Sequence, residues 1–385
     1  MSLLEECKKG FEAKYGCAPT AGASAPGRVN IIGEHVDYCS GFVLPMALTK
    51  RTVVCCKPND SKTVRFSSTE DIPDIEFELN AANLEPTHGK VEPYWENYVR
   101  GVFAQFPNFH QGMDAFVHSN VPVGGGLSSS AALEVAIYTL LEQLSGDKRS
   151  LVQKSQDCQK AENNWAGVPC GIMDQTISAM GKKDNLLLLD CQSMETRYFP
   201  LSSSDHCFVI TNSNVKHSLS GSEYPTRRKQ TVQVLEAIQA KYPQVKTHRD
   251  CTMEQLDAVK GDIEPVVYNR GRHVISEIAR TLQFAEVFEA GDLEKAGQYM
   301  FEAHNSLSKD FEVSTDEIDQ LVDIARGVDG VLGSRLTGGG FGGCTVTLVR
   351  NDAVDAFTKA VEENYKLGKA TIFTSKLGAG AATEF

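Results

Sequence analysis

Apolar positions near the start of the chain recur at helical spacing. Leu3, Leu4, Cys7, Phe11 and Tyr15 share one face, Ser2 and Glu5 have the spacing of a capping box, and Gly16 supplies a stop, so the pattern predicts an amphipathic opening helix over residues 2–15. The texture then changes to short β-rich runs at 42–48, 52–57, 63–67 and 75–79, separated by turn-forming or polar residues, with a further strand expected at 115–118. Helical spacing returns over 128–144 and 150–165, followed by the wholly apolar strand 186–189. A strand at 207–211 begins a second series, with long helical stretches near 226–241, 266–289 and 315–326, strands at 344–349 and 370–374, and a helix near 353–365 between those two. Strands, helices and strands again predict α+β layers in two halves, with the break near residues 195–205.

Composition narrows the possibilities. At 385 residues the chain exceeds the size at which one hydrophobic core usually stops growing, so two domains sharing a cleft are expected, and 41% apolar with 23% charged residues is ordinary for a globular protein. The start, Met1 to Glu6, has no basic flank followed by an apolar run, and no apolar stretch approaches membrane-spanning length, so a soluble cytosolic protein is expected. Eleven cysteines without a Cys-x-x-Cys pair or tight cluster suggest reduced thiols rather than zinc or a disulfide framework. The formal charge of -12 argues against nucleic acid as a partner, and the basic run Arg227-Arg228-Lys229 reads as a solvated helix face.

Three glycine-marked segments carry the candidate chemistry: Pro26 to Tyr38, Pro122 to Ala131, and Thr337 to Cys344. In the middle one, Gly124-Gly125-Gly126-Leu127-Ser128-Ser129-Ser130 runs into an Ala-rich helix, so free backbone N–H groups meet the positive end of a helix dipole. Phosphate is the natural occupant, although a glycine-rich turn capped by serine would read the same way in isolation. No Gly-Lys pair is followed by Ser or Thr, which excludes a Walker A loop. Gly338, Gly340 and Gly343 match the dinucleotide fingerprint only formally, because a strand rather than a helix follows. His248-Arg249-Asp250 lacks the other protein-kinase motifs and carries no weight.

The first segment brings Arg28, Asn30, Glu34, His35 and Asp37 together in a stretch that reads as a binding loop rather than a core strand, with donors and acceptors suited to neighbouring sugar hydroxyls. His35-x-Asp37 as a metal site lacks a third ligand. Glu162 near the end of one helix, and Asp174 beyond the apolar, glycine-bearing loop 167–173, are the carboxylates most worth following.

Together, Arg28 to Tyr38, Pro122 to Ala131 and Thr337 to Cys344 resemble, in order and over residues 22–348, the motifs of the galactokinases in the GHMP kinase superfamily. The resemblance implies an N-terminal ribosomal-S5-domain-2-like domain (1–200) and a C-terminal ferredoxin-like domain (201–385), with the active site between them. It implies ATP as co-substrate, Mg2+ as cofactor, galactose as acceptor at its C1 hydroxyl, and no obligate protein partner. By position, Asp174 matches the family's catalytic base and Arg28 the partner that keeps it ionised and steadies the transferring group. Ser130 and Glu162 match the magnesium ligands. Glu34, His35, Asp37, Gly171 and Tyr224, with Arg28 and Asp174, look like the sugar contacts. Gly124 to Ser130 would wrap the phosphates, and Trp95 and Tyr98 resemble positions near the adenine. N-acetylgalactosamine kinase, or a galactose and ATP sensor without turnover, are the alternatives; the complete Ser128-Ser129-Ser130-Ala131 run stands against the sensor.

Overall fold

The computed structural model describes residues 1–201, 203–215 and 223–385. Helix α1 (Leu3–Tyr15) begins where Ser2 accepts a hydrogen bond from the Glu5 amide and ends at Gly16 in the left-handed conformation. Next come β1 (Ala21–Asn30), β2 (Phe42–Val43), β3 (Pro45–Pro58), β4 (Thr63–Ser68), β5 (Ile75–Glu78), α2 (Glu96–Ala104) and β6 (Met113–Ser119). The chain continues through α3 (Ser129–Ser145), α4 (Leu151–Lys160), a π-type turn over Ala161–Ala166, α5 (Met173–Met180), β7 (Asn185–Asp190) and β8 (Thr196–Pro200). The remainder is β9 (His206–Asn212), α6 (Glu223–Lys241), α7 (Met253–Ala258), α8 (Pro265–Glu289), α9 (Leu293–Ser306), α10 (Asp316–Arg326), β10 (Val331–Thr337), β11 (Cys344–Arg350), α11 (Val354–Asn364), β12 (Thr371–Ser375) and β13 (Ala382–Thr383).

Among the described residues the strands form three sheets, and the α+β expectation holds. A six-stranded sheet runs β13-β1-β3-β6-β4-β5, antiparallel except for the β4–β6 pair; a four-stranded antiparallel sheet runs β10-β11-β9-β12; and β2-β7-β8 form a small third sheet. Helix α3 crosses β1 and β3 and packs against α2 and α5, closing the principal core, while α1 covers β3 and β6 with Cys7 and Phe11 against Val53, Cys55 and Phe116. That placement leaves α3 with its N-terminus beside the end of β1, where the site forms.

Three sequence readings need correction. The stretch expected to begin as a binding loop at Pro26 is strand as far as Asn30: all ten residues of β1 are buried, between β13 and β3. Its small residues have little strand propensity of their own, and the neighbouring strands with α3 impose the conformation. A register shift between Pro26 and Arg28 absorbs Gly27, where a Cβ would stand 2.6 Å from the Leu127 carbonyl oxygen. The separate strands expected at 42–48 and 52–57 are instead the two-residue β2 and one long β3, because the polar residues meant to break them are themselves held: Arg51 donates to Ser24, Ala379 and Gly380. Finally, Arg227 is buried rather than solvated, donating to the carbonyls of Phe311 and Glu312, and Arg228 donates to the Pro169 carbonyl.

Candidate active site

Strand β1 carries Arg28 to the base of a cavity, and α5 presents Asp174 from its first turn. The two meet in a bidentate pair, Arg28 Nε to Asp174 Oδ1 and Nη2 to Oδ2, both at 2.7 Å. Such a fork-to-carboxylate pair fixes the planes of both groups. Arg28 spends its third nitrogen on the Gly126 carbonyl at 2.6 Å, so one guanidinium ties the acid to the glycine loop. Ser128 Oγ donates to Asp174 Oδ2 at 2.5 Å from the other side. Arg28 is 5% exposed, yet the Asp174 side chain keeps 24% of its surface and faces the cavity.

Gly124, Gly126 and Ser128 all have positive φ, and that sequence of turns aims the loop at the start of α3 without a side-chain cap at Ser128. The first amides of a 17-residue helix are thereby left for an anion. At the second position of the same helix, Ser130 Oγ donates to Glu162 Oε1 at 3.0 Å, and Glu162 Oε2 accepts from Gln175 Nε2 at 2.6 Å. Burial, with the nearby Asp174 charge adding to it, raises the Glu162 carboxyl to about 7. The π-type turn widens the helix where Glu162 leaves it.

The other end of the cavity is polar and partly aromatic. Asp37 accepts from the Tyr38 amide at 3.0 Å and lies 3.5 Å from the Met173 amide; burial, then repulsion from Asp174, raises it to about 6. His35 takes the left-handed conformation, with Nδ1 2.8 Å from the Tyr38 hydroxyl and Nε2 3.2 Å from the Gly339 carbonyl. Its ring lies against Phe311 and Tyr224, at centroid distances of 4.7 and 5.5 Å. Glu34 accepts from Arg335, from the Gly338 amide and from Asn30. Gly171 presses its backbone directly against Asp37.

The cavity therefore gathers Arg28, Glu34, His35, Asp37, Gly124, Gly126, Leu127, Ser128, Ser129, Ser130, Glu162, Gly171, Asp174 and Tyr224. Gly125 lies just behind it, its carbonyl accepting from Cys344 Sγ. The adenine candidates lie elsewhere: Trp95 donates to the Pro73 carbonyl and meets Phe66 edge-on, and Tyr98 packs edge-on against Tyr94 on α2, beside the π-type turn. Residues that sequence reasoning had given no role also line the wall, among them Tyr38, Met173, Gly338 and Gly339. The third glycine segment was the available signal for the last two.

Comparisons with known proteins show which family the chain belongs to. The chain matches the galactokinase galactose-binding signature over residues 9–58, the GHMP kinases N terminal domain over 97–182 and the GHMP kinases C terminal domain over 284–367. It is 46% identical to a galactokinase of Homo sapiens over 386 aligned positions, covering 98% of this chain and 96% of that protein, and 44% identical to one of Bos taurus over the same span. Among solved structures, Lactococcus lactis galactokinase complexed with galactose superposes with a TM-score of 0.93 at 32% identity, covering 99% of this chain and 100% of the other. Methanococcus jannaschii mevalonate kinase, at 15% identity, a TM-score of 0.64 and 94% and 99% coverage, shares the fold.

Proposed function

The chain belongs to the galactokinase family of the GHMP kinases, and from that premise we propose that it transfers the γ-phosphoryl group of ATP to the C1 hydroxyl of galactose, giving galactose 1-phosphate and ADP. The observation that carries this reading is the Arg28–Asp174 pair, which joins the anion-binding end of α3 to a wall of sugar-type acceptors in one cavity. Asp174 accepts the C1 proton as that oxygen bonds to the γ-phosphorus, the bond to the β–γ bridging oxygen breaks, and ADP leaves. Arg28 orients the acid through its two-point pair and offers charge to the transferring group. The amides of Gly124 to Ser130 bind the phosphates, while Trp95 and Tyr98 stand outside the cavity, so an adenine role for them rests on the family resemblance alone.

Two hard oxygen donors 3.0 Å apart, Ser130 and Glu162, suit Mg2+, which takes few protein ligands and completes its shell with water and substrate phosphate. Among the described residues no group of three or more His, Cys, Asp or Glu could hold a metal ion. When bound, the ion neutralises phosphate charge. We place the two halves at residues 1–200 and 201–385, except that the C-terminal strand β13 returns to the first half, where it pairs with β1. In support, the cavity takes Arg28 to Asp174 from the first and Tyr224, Gly338 and Gly339 from the second. All eleven cysteines are free thiols, which supports a reducing, cytosolic setting, and among the described residues no helix is long and apolar enough to cross a membrane.

The test is ADP release from Mg-ATP with galactose, N-acetylgalactosamine, glucose, mevalonate or no acceptor. Turnover with galactose is the expected result; preference for N-acetylgalactosamine would move the substrate assignment, and binding of both ligands without ADP release would leave only a sensor. Within that assay, Glu34→Ala and Asp37→Ala are expected to raise the KM for galactose by about tenfold or more, because each removes a charged acceptor, with little effect on the KM for ATP. Equal effects on both substrates would place these residues outside the sugar pocket. Asp37 also sets a pH dependence. Its carboxyl, raised to about 6, takes up a proton as pH falls through that value and then no longer accepts as an anion. The KM for galactose should therefore be flat above neutrality and climb below pH about 6, while Asp37→Asn flattens the profile. An unchanged climb in that variant would remove Asp37 as its cause.

A further inference from the structure

Arg335, on β10, is among the largest fully buried side chains of the protein, at 0% exposure. Its Nη1 donates to Glu34 Oε2 at 3.3 Å and to the Asn30 carbonyl at 3.1 Å, while Nε and Nη2 have no hydrogen-bond partner among the described residues. A guanidinium in such a place is costly, and an apolar side chain of similar volume would usually serve stability as well or better. The residue is accounted for by what it holds. We infer that Arg335 is a positioning residue for sugar recognition, fixing the Glu34 carboxylate at the cavity wall from the opposite half of the chain.

Rigid support on every side of Glu34 carries the inference. Gly338, just past the end of β10, donates its amide to Glu34 Oε1; Asn30, at the end of β1, donates to Oε2 beside Arg335. The backbone is pinned as well. His273 Nε2 lies 3.1 Å from the Glu34 carbonyl, and the neighbouring Gly33 amide donates to Glu277, which pairs with Arg280. A carboxylate has about four lone-pair sites. Three are taken by these donors, which leaves about one for a ligand hydroxyl, and Glu34 lines the cavity. Burial alone drives Glu34 towards its protonated form, and the Arg335 charge is the largest influence opposing it. Glu34 therefore accepts a single hydroxyl in a direction set by β10, so sugar affinity depends on a side chain outside the cavity.

This rests on the reading of Glu34 as a sugar contact, so the experiment separates the two. Arg335→Met, Arg335→Lys, Glu34→Gln and the Arg335→Met/Glu34→Gln pair are assayed for ADP release, with melting curves to establish folding. Arg335→Met is expected to raise the KM for galactose by about tenfold or more, with the KM for ATP within about twofold of the parent, and Arg335→Lys to recover part of the loss. The paired variant should be no worse than Glu34→Gln by more than about twofold, since both changes act through one carboxylate. Should Arg335→Met not fold, Arg335→Lys against Glu34→Gln carries the same comparison. Effects that multiply, parallel changes in both KM values, or an unaltered galactose KM in the Arg335 variants while Glu34→Gln raises it, overturn the positioning role alone. No effect of Glu34→Gln overturns the sugar reading and the positioning role with it.

Discussion

Asp174→Asn is expected to lower kcat by on the order of a hundredfold or more while galactose still binds, because the substitution keeps size and shape and removes the one property a base needs. Arg28 grips both carboxylate oxygens at 2.7 Å, and Ser128 donates to one of them, so three donor atoms are aimed at an acceptor-only group. An amide turns one acceptor into a donor that faces Arg28 in either orientation, so the variant also loses part of the fork. The measurement is kcat by coupled ADP release, with galactose affinity from calorimetry on the same protein. A variant that turns over within about threefold of the parent would take Asp174 out of the base role, since general-base catalysis contributes far more than that. Loss of galactose binding in step with kcat would make it a binding residue instead.

How much of this arrangement could be read from residues alone differs from element to element. Ser2, Glu5 and Gly16 mark the ends of α1 by capping chemistry that is local, and the structure places the ends where those residues stand. Helix α3 was equally legible from its glycine and serine approach. Strand β1 was not, because Ala-Gly-Ala-Ser-Ala-Pro-Gly has no alternation to detect, and its extended form comes from partners up to Thr383 in sequence. Helix α5 was missed because the segment Gly167 to Met173 dominates its start, although Asp174 in its first turn suits the helix dipole. Motif residues such as Arg28 and Glu34 stood out by type and spacing. Arg335 and Gln175 did not, since an isolated Arg in an apolar run, or a Gln on a helix, acquires meaning only from the carboxylate that the fold brings to it.

Gly171 offers a test in which stability and activity should part company. A Cβ at this position would stand 1.7 Å from Asp37 Oδ2 and 2.1 Å from its Cγ, far inside any contact distance, yet its nearest neighbours are side-chain atoms rather than backbone. Gly171 is not among the glycines with positive φ, so alanine meets no backbone penalty there. Replacement of glycine by alanine at a compatible position commonly stabilises by about 0.4–1 kcal/mol through the unfolded chain, which offsets part of the local crowding. Asp37 must yield, swinging away from the Tyr38 and Met173 amides that now hold it. Displacement of a binding carboxylate by about 1 Å or more is enough to lower kcat/KM for galactose on the order of a hundredfold. The expected outcome for Gly171→Ala is thus a melting temperature within a few degrees of the parent, by the scaling for a chain of this size, with galactose use nearly lost and the KM for ATP little changed. In an Asp37→Ala background the same change should add little, because the atom it displaces is already gone. A full additional loss in that background would mean that Gly171 serves the sugar through its own backbone, and an unaffected kcat/KM in the single variant would remove the Asp37 contact from the sugar site.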